Sequence, residues 1–405
     1  MPQPPRIDPF DPAFKANPYP AYAELRSTAP IHRITLLDGR GVWLVTRYED
    51  VLAIFKDERF VKDWRKVLTS EQLAQIPQVP PVMEPLSKNM LETDPPDHER
   101  LRALVSRAFT PRLIARMRPR IQAIADSLLD VVEDKGRMDL IDDYAFPLPI
   151  TVIAELLGVA SEDREKFRAW TDAAVSGNGT TEYLETVLVP HMQAFSDYLL
   201  EMFEEKRENP KDDLISALVR AEEAGERLSE DELLGMVFLL LVAGHETTVN
   251  LIGNGTLALL QHPDQLEKLR NDPSRIKSAI EELLRYDGPL EASPERFARE
   301  DVAIGGTVIP RGEMVRVVIA AADRDPERFP DPDALDITRT DNKHLAFGKG
   351  IHHCLGAPLA RMEGQIAIDT LLRRMPGLRL QEPTESMSWR PGMVMRGLQG
   401  LPVEF

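Results

Sequence analysis

The chain has 405 residues, 43% of them hydrophobic and 28% charged, with 49 basic against 66 acidic side chains and a formal charge of -17. That is an ordinary globular composition with material for a large core, and its acidic excess excludes a nucleic-acid binder, which needs a basic face to displace counterions from phosphates. A single cysteine, Cys354, excludes an intramolecular disulfide and every cysteine-rich zinc or iron–sulfur centre.

The opening stretch, MPQPPRIDPFDPAFKANPYP, is polar and proline-rich with no apolar leader. The longest apolar run, Leu233–Ala243, is shorter than the ~20 residues that cross a bilayer. Both features predict a cytoplasmic protein without a membrane anchor. A strand-like run covers 41–46, and an irregular stretch covers 66–90. Helical periodicity then predicts helices at 98–108, 111–134, 149–157, 161–175, 190–206, 211–222, 229–260, 264–270 and 273–286. A second irregular stretch, 177–190, separates two of them; both irregular stretches read as mobile lids. Short strands follow at 302–304 and 314–319, and a last helix at 355–374. The helix from Ser229 opens on Ser-Glu-Asp-Glu, a capping box that satisfies orphan N–H groups. At about 30 residues it is ~45 Å long, enough to cross a domain. With no repeat, low-complexity tract or Gly/Ser linker, the expectation is one domain over 1–405, mainly α with a small β portion and a long central helix.

Cys354 lies just ahead of the last helix, behind the turn-forming Gly348 and Gly350. Free N–H groups and the helix dipole favour a thiolate there. Such a thiolate could be a nucleophile, a zinc ligand or the axial ligand of a haem iron. In the central helix, Ala243-Gly-His-Glu-Thr-Thr248 contains His245-Glu246, but a zinc protease would need a second histidine where Val249 stands. Glu282 and Arg285 share a helical face at i, i+3.

The segment Phe347-Gly-Lys-Gly-Ile-His-His-Cys-Leu-Gly356 resembles the haem-binding signature of the cytochrome P-450 family. The resemblance runs from about residue 40 to the C-terminus and implies that family's fold. It makes Cys354 the proximal thiolate on the iron of haem b, with Phe347 beside the sulfur and Gly348 and Gly356 letting the backbone approach the porphyrin. An anionic sulfur trans to dioxygen pushes electron density toward O–O cleavage. Ala243-Gly-His-Glu-Thr is similar to the family's oxygen-activation motif. Ala243 and Gly244 would leave room for dioxygen, while Thr247 and Glu246 would deliver protons. Glu282-Leu-Leu-Arg285 resembles the family's ExxR pair, with Arg339 as its third member; Pro326-Glu-Arg-Phe329 spells a motif of other branches and reads as a decoy. His98 and Arg102, in an HxxxR pattern, together with Arg296 and His352, would meet the haem propionates, and His353 would point away.

The implied activity is monooxygenation, one atom of O2 entering a C–H bond of a hydrophobic small molecule such as a terpenoid, steroid, fatty acid or polyketide. Met90, Leu239, Val242, Ala243, Leu290, Ala292, Val394 and Met395 are the expected pocket residues. A peroxide-using peroxygenase is disfavoured by Glu246–Thr247, which peroxide chemistry does not need; a haem-thiolate sensor has no use for that pair or for a substrate cavity. Electrons would come from an acidic ferredoxin and its NAD(P)H-dependent reductase. From Arg100 to Ala125 there is no acid, and seven arginines stand there: Arg100, Arg102, Arg107, Arg112, Arg116, Arg118 and Arg120. In an acidic chain such a run suits electrostatic steering of an acidic partner, with Lys343, Lys349 and Arg361 extending it.

Overall fold

The structure, a computed structural model, describes residues 5–36, 39–74, 80–175, 181–223 and 226–405. The main helices, in chain order, are α1 (Pro12–Ala16), α2 (Tyr19–Thr28), α3 (Tyr48–Lys56), α4 (Asp97–Ala108), α5 (Pro111–Val132), α6 (Pro147–Leu157), α7 (Arg164–Val175), α8 (Val189–Glu208), α9 (Leu214–Val219), α10 (Glu230–Gln261), α11 (Pro263–Asn271), α12 (Ile276–Asp287) and α13 (Ala357–Arg374). The strands are β1 (Ile31–Thr35), β2 (Gly41–Val45), β3 (Phe60–Val61), β4 (Arg137–Asp139), β5 (Glu222–Glu223), β6 (Glu226–Arg227), β7 (Arg296–Ala298), β8 (Val302–Ile304), β9 (Thr307–Ile309), β10 (Met314–Val317), β11 (Arg379–Leu380) and β12 (Pro402–Glu404). The protein is mainly α with a small β portion.

Internal contacts divide the chain into two units, the first comprising Met1–Thr69, Arg120–Leu148 and Thr247–Phe405, the second Ser70–Pro119 and Pro149–Glu246. The first unit holds a five-stranded sheet in the order β1-β2-β10-β7-β3. Here β10 runs parallel to β2, pairing Val315 with Trp43, so residues some 270 apart in sequence become neighbours. One face of the sheet packs Val45, Val315 and Val317 against Tyr48, Val51 and Ile54 of α3. The other buries Val42, Leu44 and Met314 with Tyr22 and Leu25 of α2. Alternation along β2 and β10 thus fills two cores from one sheet. In the same unit the second half of α10 lies close to α12 and α13. A Cβ on Gly255 would come within 3.0 Å of Leu283 and 3.3 Å of Ile368, and one on Gly364 within 2.9 Å of Leu251.

In the second unit, Glu232 caps the start of α10 by accepting from the Ser229 N–H at 2.8 Å, as the capping box requires. Gly235 lets α10 approach the backbone of the preceding loop, since a Cβ there would meet Lys88 O at 2.7 Å. Phe167, Trp170 and Tyr198 of α7 and α8 form an edge-to-face cluster with Phe195, which reaches Phe238 of α10. By length and composition α10 is apolar enough to cross a membrane, but 61% of its most apolar window is buried inside the protein, as in a core helix.

Four sequence expectations need correction. The helix expected at 211–222 is the six-residue α9, because Asp213 caps it late by accepting from the Ser216 N–H. The strand expected to reach residue 319 stops at Val317, and Ile319–Ala322 turns helical. The stretch 177–190 is helical from Thr181 onward, with residues 177–180 outside the described residues. In 66–90, Ser70–Ala74 and Met83–Leu86 are short helices, and 75–79 lie outside the described residues. Helices α1, α2 and α3 escaped the sequence reading. The first carried a signal: Asp11 accepts from the Ala13 N–H at 2.9 Å, ahead of Pro12.

Candidate functional site

Four features of the first unit converge on the Cys354 loop. The loop is folded by its own backbone: Gly348 N–H donates to Leu345 O at 2.8 Å, and Cys354 N–H to Phe347 O at 3.0 Å. Gly348 and Gly350 have φ of +63° and +73°, in the left-handed region that side chains disfavour. A Cβ at Gly350 would also sit 2.2 Å from Phe55 O, at the end of α3. Helix α13 begins at Ala357, two residues later than expected, with Gly356 at its N-cap. The thiol therefore stands just before a run of unsatisfied helix N–H groups. It is exposed, although cysteine outside a disulfide is among the most buried residue types.

The ring of Phe347 packs 4.3 Å from the Arg361 guanidinium. Arg361 also donates to Glu281 at 2.6 Å, and His344 shares that carboxylate at 3.0 Å. Burial raises the pKa of Glu281, but the Arg361 and His344 bonds outweigh it and hold the group down at about 2. Arg361 is thus already paired. The loop also borders a concavity of about 480 Å³ whose lining includes Lys56, Lys343, Lys349 and His353, with Glu281 its one acid among the described residues. Arg296, on β7, is buried with its guanidinium 5.4 Å over Phe55, and His352 is half-buried on the one-turn helix Gly350–His352.

Behind the loop lies a buried polar lattice. Glu282 is fully buried and accepts two bonds from Arg285 at 2.8 Å. Arg339 reaches the same carboxylate at 3.2 Å. Asn342 and the Asp336 N–H complete it at 3.0 and 2.9 Å; neither was foreseen. Arg285 in turn donates to the carbonyls of Asp323, Pro332 and Ala334. Asp323 accepts from the Leu345 N–H at 2.8 Å, so it ties this lattice to the start of the Cys354 loop. Burial pushes its carboxyl well above the ordinary range, against the opposing pull of that N–H and Arg285. Arg328, of Pro326-Glu-Arg-Phe329, pairs with Asp341 instead of Glu282.

Helix α10 carries Ala243-Gly-His-Glu-Thr-Thr248. Ala243 is exposed, Leu239, Val242, Gly244 and Thr247 are half-buried, and Glu246 is buried. Leu239, Ala243 and Thr247, spaced four residues apart and so on one face of the helix, are among its less buried positions. A Cβ on Gly244 would press on Ile153 at 3.3 Å. His245 Nε2 is 3.8 Å from Glu246 Oε2. In the second unit, His98 is buried on α4 one turn from the half-buried Arg102. Burial first, then Arg102, lowers the His98 pKa and favours the neutral ring. Of the expected pocket residues, Leu290, Val394 and Met395 are half-buried and lie on two paired segments joined by the Leu290–Met395 bridge. Ala292, at 1% exposure, packs in the core with Tyr22 and Val42, and Met90 is buried too; both are core residues here.

The donor set suits an iron porphyrin. An exposed thiol at a helix start supplies a thiolate, Gly348, Gly350 and Gly356 leave three positions around it without side chains, and Arg296 offers a cation to a carboxylate. A Cβ at position 356 would rest in ordinary van der Waals contact with the sulfur, 3.9 Å away. Among the described residues no cluster of three or more His, Cys, Asp or Glu side chains could hold a bare metal ion, which disfavours the zinc reading of Cys354.

Residues 181–396 match the family model Cytochrome P-450. The chain is 49% identical to Cytochrome P-450 107B1 of Saccharopolyspora erythraea, over 97% of this chain and 96% of that protein. It is 47% identical to the Vitamin D(3) 25-hydroxylase of Pseudonocardia autotrophica, over 98% and 96%. The solved structure of the bacillaene polyketide synthase P-450 PksS from Bacillus subtilis superposes with a TM-score of 0.92 at 44% identity, covering 98% of this chain and 99% of that one. Identity at this level along almost the whole chain, on top of the Cys354 loop and the Glu282–Arg285 pair, leads to one conclusion: the chain belongs to the cytochrome P-450 family of haem-iron, oxygen-incorporating oxidoreductases.

Proposed function

We propose that this protein hydroxylates a hydrophobic small molecule, of the terpenoid, steroid, fatty-acid or polyketide kind, in a bacterial cytoplasm, using haem b and electrons from a ferredoxin and its NAD(P)H-dependent reductase. The observation that carries this reading is the exposed Cys354 thiol in a glycine-shaped loop at a helix start, in a chain that also carries the Glu246–Thr247 pair and the Glu282–Arg285 pair. Leu239 and Ala243, apolar and not buried on one face of α10, support an apolar substrate. The vitamin D(3) hydroxylase and the polyketide-associated PksS among its relatives support the size class.

When bound, the haem supplies oxygen activation and oxygen transfer; the residues of the chain supply ligation, orientation and protons. Cys354 would offer its thiolate to the iron. Arg296 and His352, and by the family pattern His98 and Arg102, would hold the propionates. Ala243 and Gly244 would keep the helix surface small. The Thr247 hydroxyl would hold a proton at Oγ1, and the Glu246 carboxyl group would resupply it.

The test is Thr247→Ala. Product formation is expected to fall by about 10²-fold, the usual range for a lost proton donor, while NAD(P)H consumption continues and hydrogen peroxide accumulates in its place. Unchanged product per NAD(P)H would remove Thr247 from the proton path. Glu246→Gln should slow turnover more than it uncouples it. Among peroxygenases the same threonine substitution would have no such effect with peroxide as oxidant, so the two enzyme readings separate in one assay.

For the electron donor, the arginine run is thinner in the fold than in the sequence. Arg100 is paired with Glu232, and Arg116 lies 3.1 Å from Asp212. Arg107, Arg112 and Arg118 are exposed at the end of α4 and on the first turns of α5. The double variant Arg107→Glu, Arg112→Glu should slow reduction by an acidic ferredoxin about tenfold at low salt, with substrate-induced Soret shifts unchanged. Normal reduction rates would move the docking face elsewhere.

A further inference from the structure

Lys15 is 1% exposed although it belongs to the polar N-terminal stretch, and all three of its ammonium donors are engaged. It donates to Glu291 Oε2 at 2.5 Å, Gly392 O at 2.9 Å and Met395 O at 3.2 Å. These acceptors belong to two segments that run side by side. Leu290 bridges Met395, Glu291 N–H donates to Val394 O at 2.8 Å, and Arg396 N–H to Pro289 O at 2.9 Å. The lysine thus bonds the side chain of one segment and the backbone of the other. Its own helix is tied in from both sides: Arg396 donates to Lys15 O at 2.8 Å, and Gly392 N–H to Pro9 O at 2.9 Å. Tyr22 donates to the other oxygen of Glu291, and Asn254 of α10 to Arg396 O at 2.9 Å.

Leu290, Val394 and Met395 ride on these two segments. A buried ion pair gives little net stability, because desolvation offsets its attraction; what it does give is a fixed geometry for the groups bonded to it. We propose that Lys15 is a positioning residue for substrate recognition, setting through Glu291, Gly392 and Met395 the spacing of the two segments that present Leu290, Val394 and Met395 to the substrate. The inference rests on the reading of those three residues as pocket lining. It assigns the N-terminal helix α1 a part in specificity that its distance in sequence from every motif conceals.

Two azoles that ligate haem iron separate positioning from general stability, both read by the red shift of the Soret band. Imidazole needs only the iron, whereas clotrimazole also fills the space around it. In Lys15→Met, clotrimazole affinity should fall about tenfold, a modest cost for displaced contact groups, with imidazole affinity within about twofold of the parent. Lys15→Arg, which keeps the charge and the donors, should recover part of the loss. If Lys15→Met binds too little haem, the variant Lys15→Met, Glu291→Gln, which leaves no unpaired charge, takes its place. Equal changes for both azoles, no change for either, or loss of haem from both variants would overturn the proposal in favour of a purely structural lysine. Leu290→Trp and Val394→Trp serve as the second arm. If they leave clotrimazole binding unaltered, the pocket reading itself fails; if they alter it while Lys15→Met does not, only the positioning role does.

Discussion

Cys354→His is expected to abolish the strongly red-shifted Soret band of the ferrous carbon monoxide complex and to bring substrate oxidation to background, even where haem is retained. The band requires a thiolate, and the chain has no second cysteine to supply one. Imidazole is a neutral donor, so the push toward O–O cleavage is lost along with the spectrum. The loop should survive the change, because its fold depends on Gly348, Gly350 and the Cys354 N–H to Phe347 O bond, none of which uses the sulfur. A thiolate-type spectrum in the variant would end the assignment of Cys354 as ligand. A bound haem with an imidazole-type spectrum, and no turnover, is the expected pairing.

The second large effect is on stability. Glu282→Ala should cost about 3–5 kcal/mol, the usual penalty for breaking a buried ion pair from one side. A protein of ordinary stability has only about 5–15 kcal/mol in all. The substitution leaves the Arg285 guanidinium buried without its carboxylate, and also strips acceptors from Arg339, Asn342 and the Asp336 N–H. Arg339→Ala should cost less, roughly 1–3 kcal/mol, because Glu282 keeps Arg285 and two further donors. Urea unfolding of the haem-loaded protein, followed by Soret absorbance and circular dichroism, measures both. A Glu282→Ala midpoint near that of the parent would mean that water or relaxation replaces the lattice. Since Asp323 links Arg285 to Leu345 at the start of the Cys354 loop, haem loss should accompany the stability loss.

The division between what was legible in the sequence and what was not follows from distance along the chain. Helix α10, its capping box and the i, i+3 pair Glu282–Arg285 depend on neighbours within a turn or two. Side-chain periodicity and capping residues therefore announce them. The Cys354 loop is equally local: its glycines and its cysteine lie within ten residues. Short elements left no period to read. Strands of two or three residues such as β3 and β7 became strands only by pairing across the chain, as Val61 does with Phe297. The strand expected through residue 319 ended at Val317 because pairing with β2 ends at Val45.

The same rule governs the side chains. The family resemblance named Arg339 as a partner of Glu282 but gave no hint of Asn342 or the Asp336 N–H, because a carboxylate's remaining lone pairs are filled by whatever the fold brings near. Nor did it reveal that Arg361 is clamped by Glu281, or that Ala292 packs in a core beside Tyr22. Lys15 is the clearest case. A lysine in a polar, proline-rich stretch reads as solvated, and only burial beside Glu291, 276 residues away, makes it a bonded core residue. By itself the sequence determined the long central helix α10, the cysteine loop and the family. Tertiary structure alone decided which charges are paired, because a buried charge must find its partner wherever the folded chain supplies one.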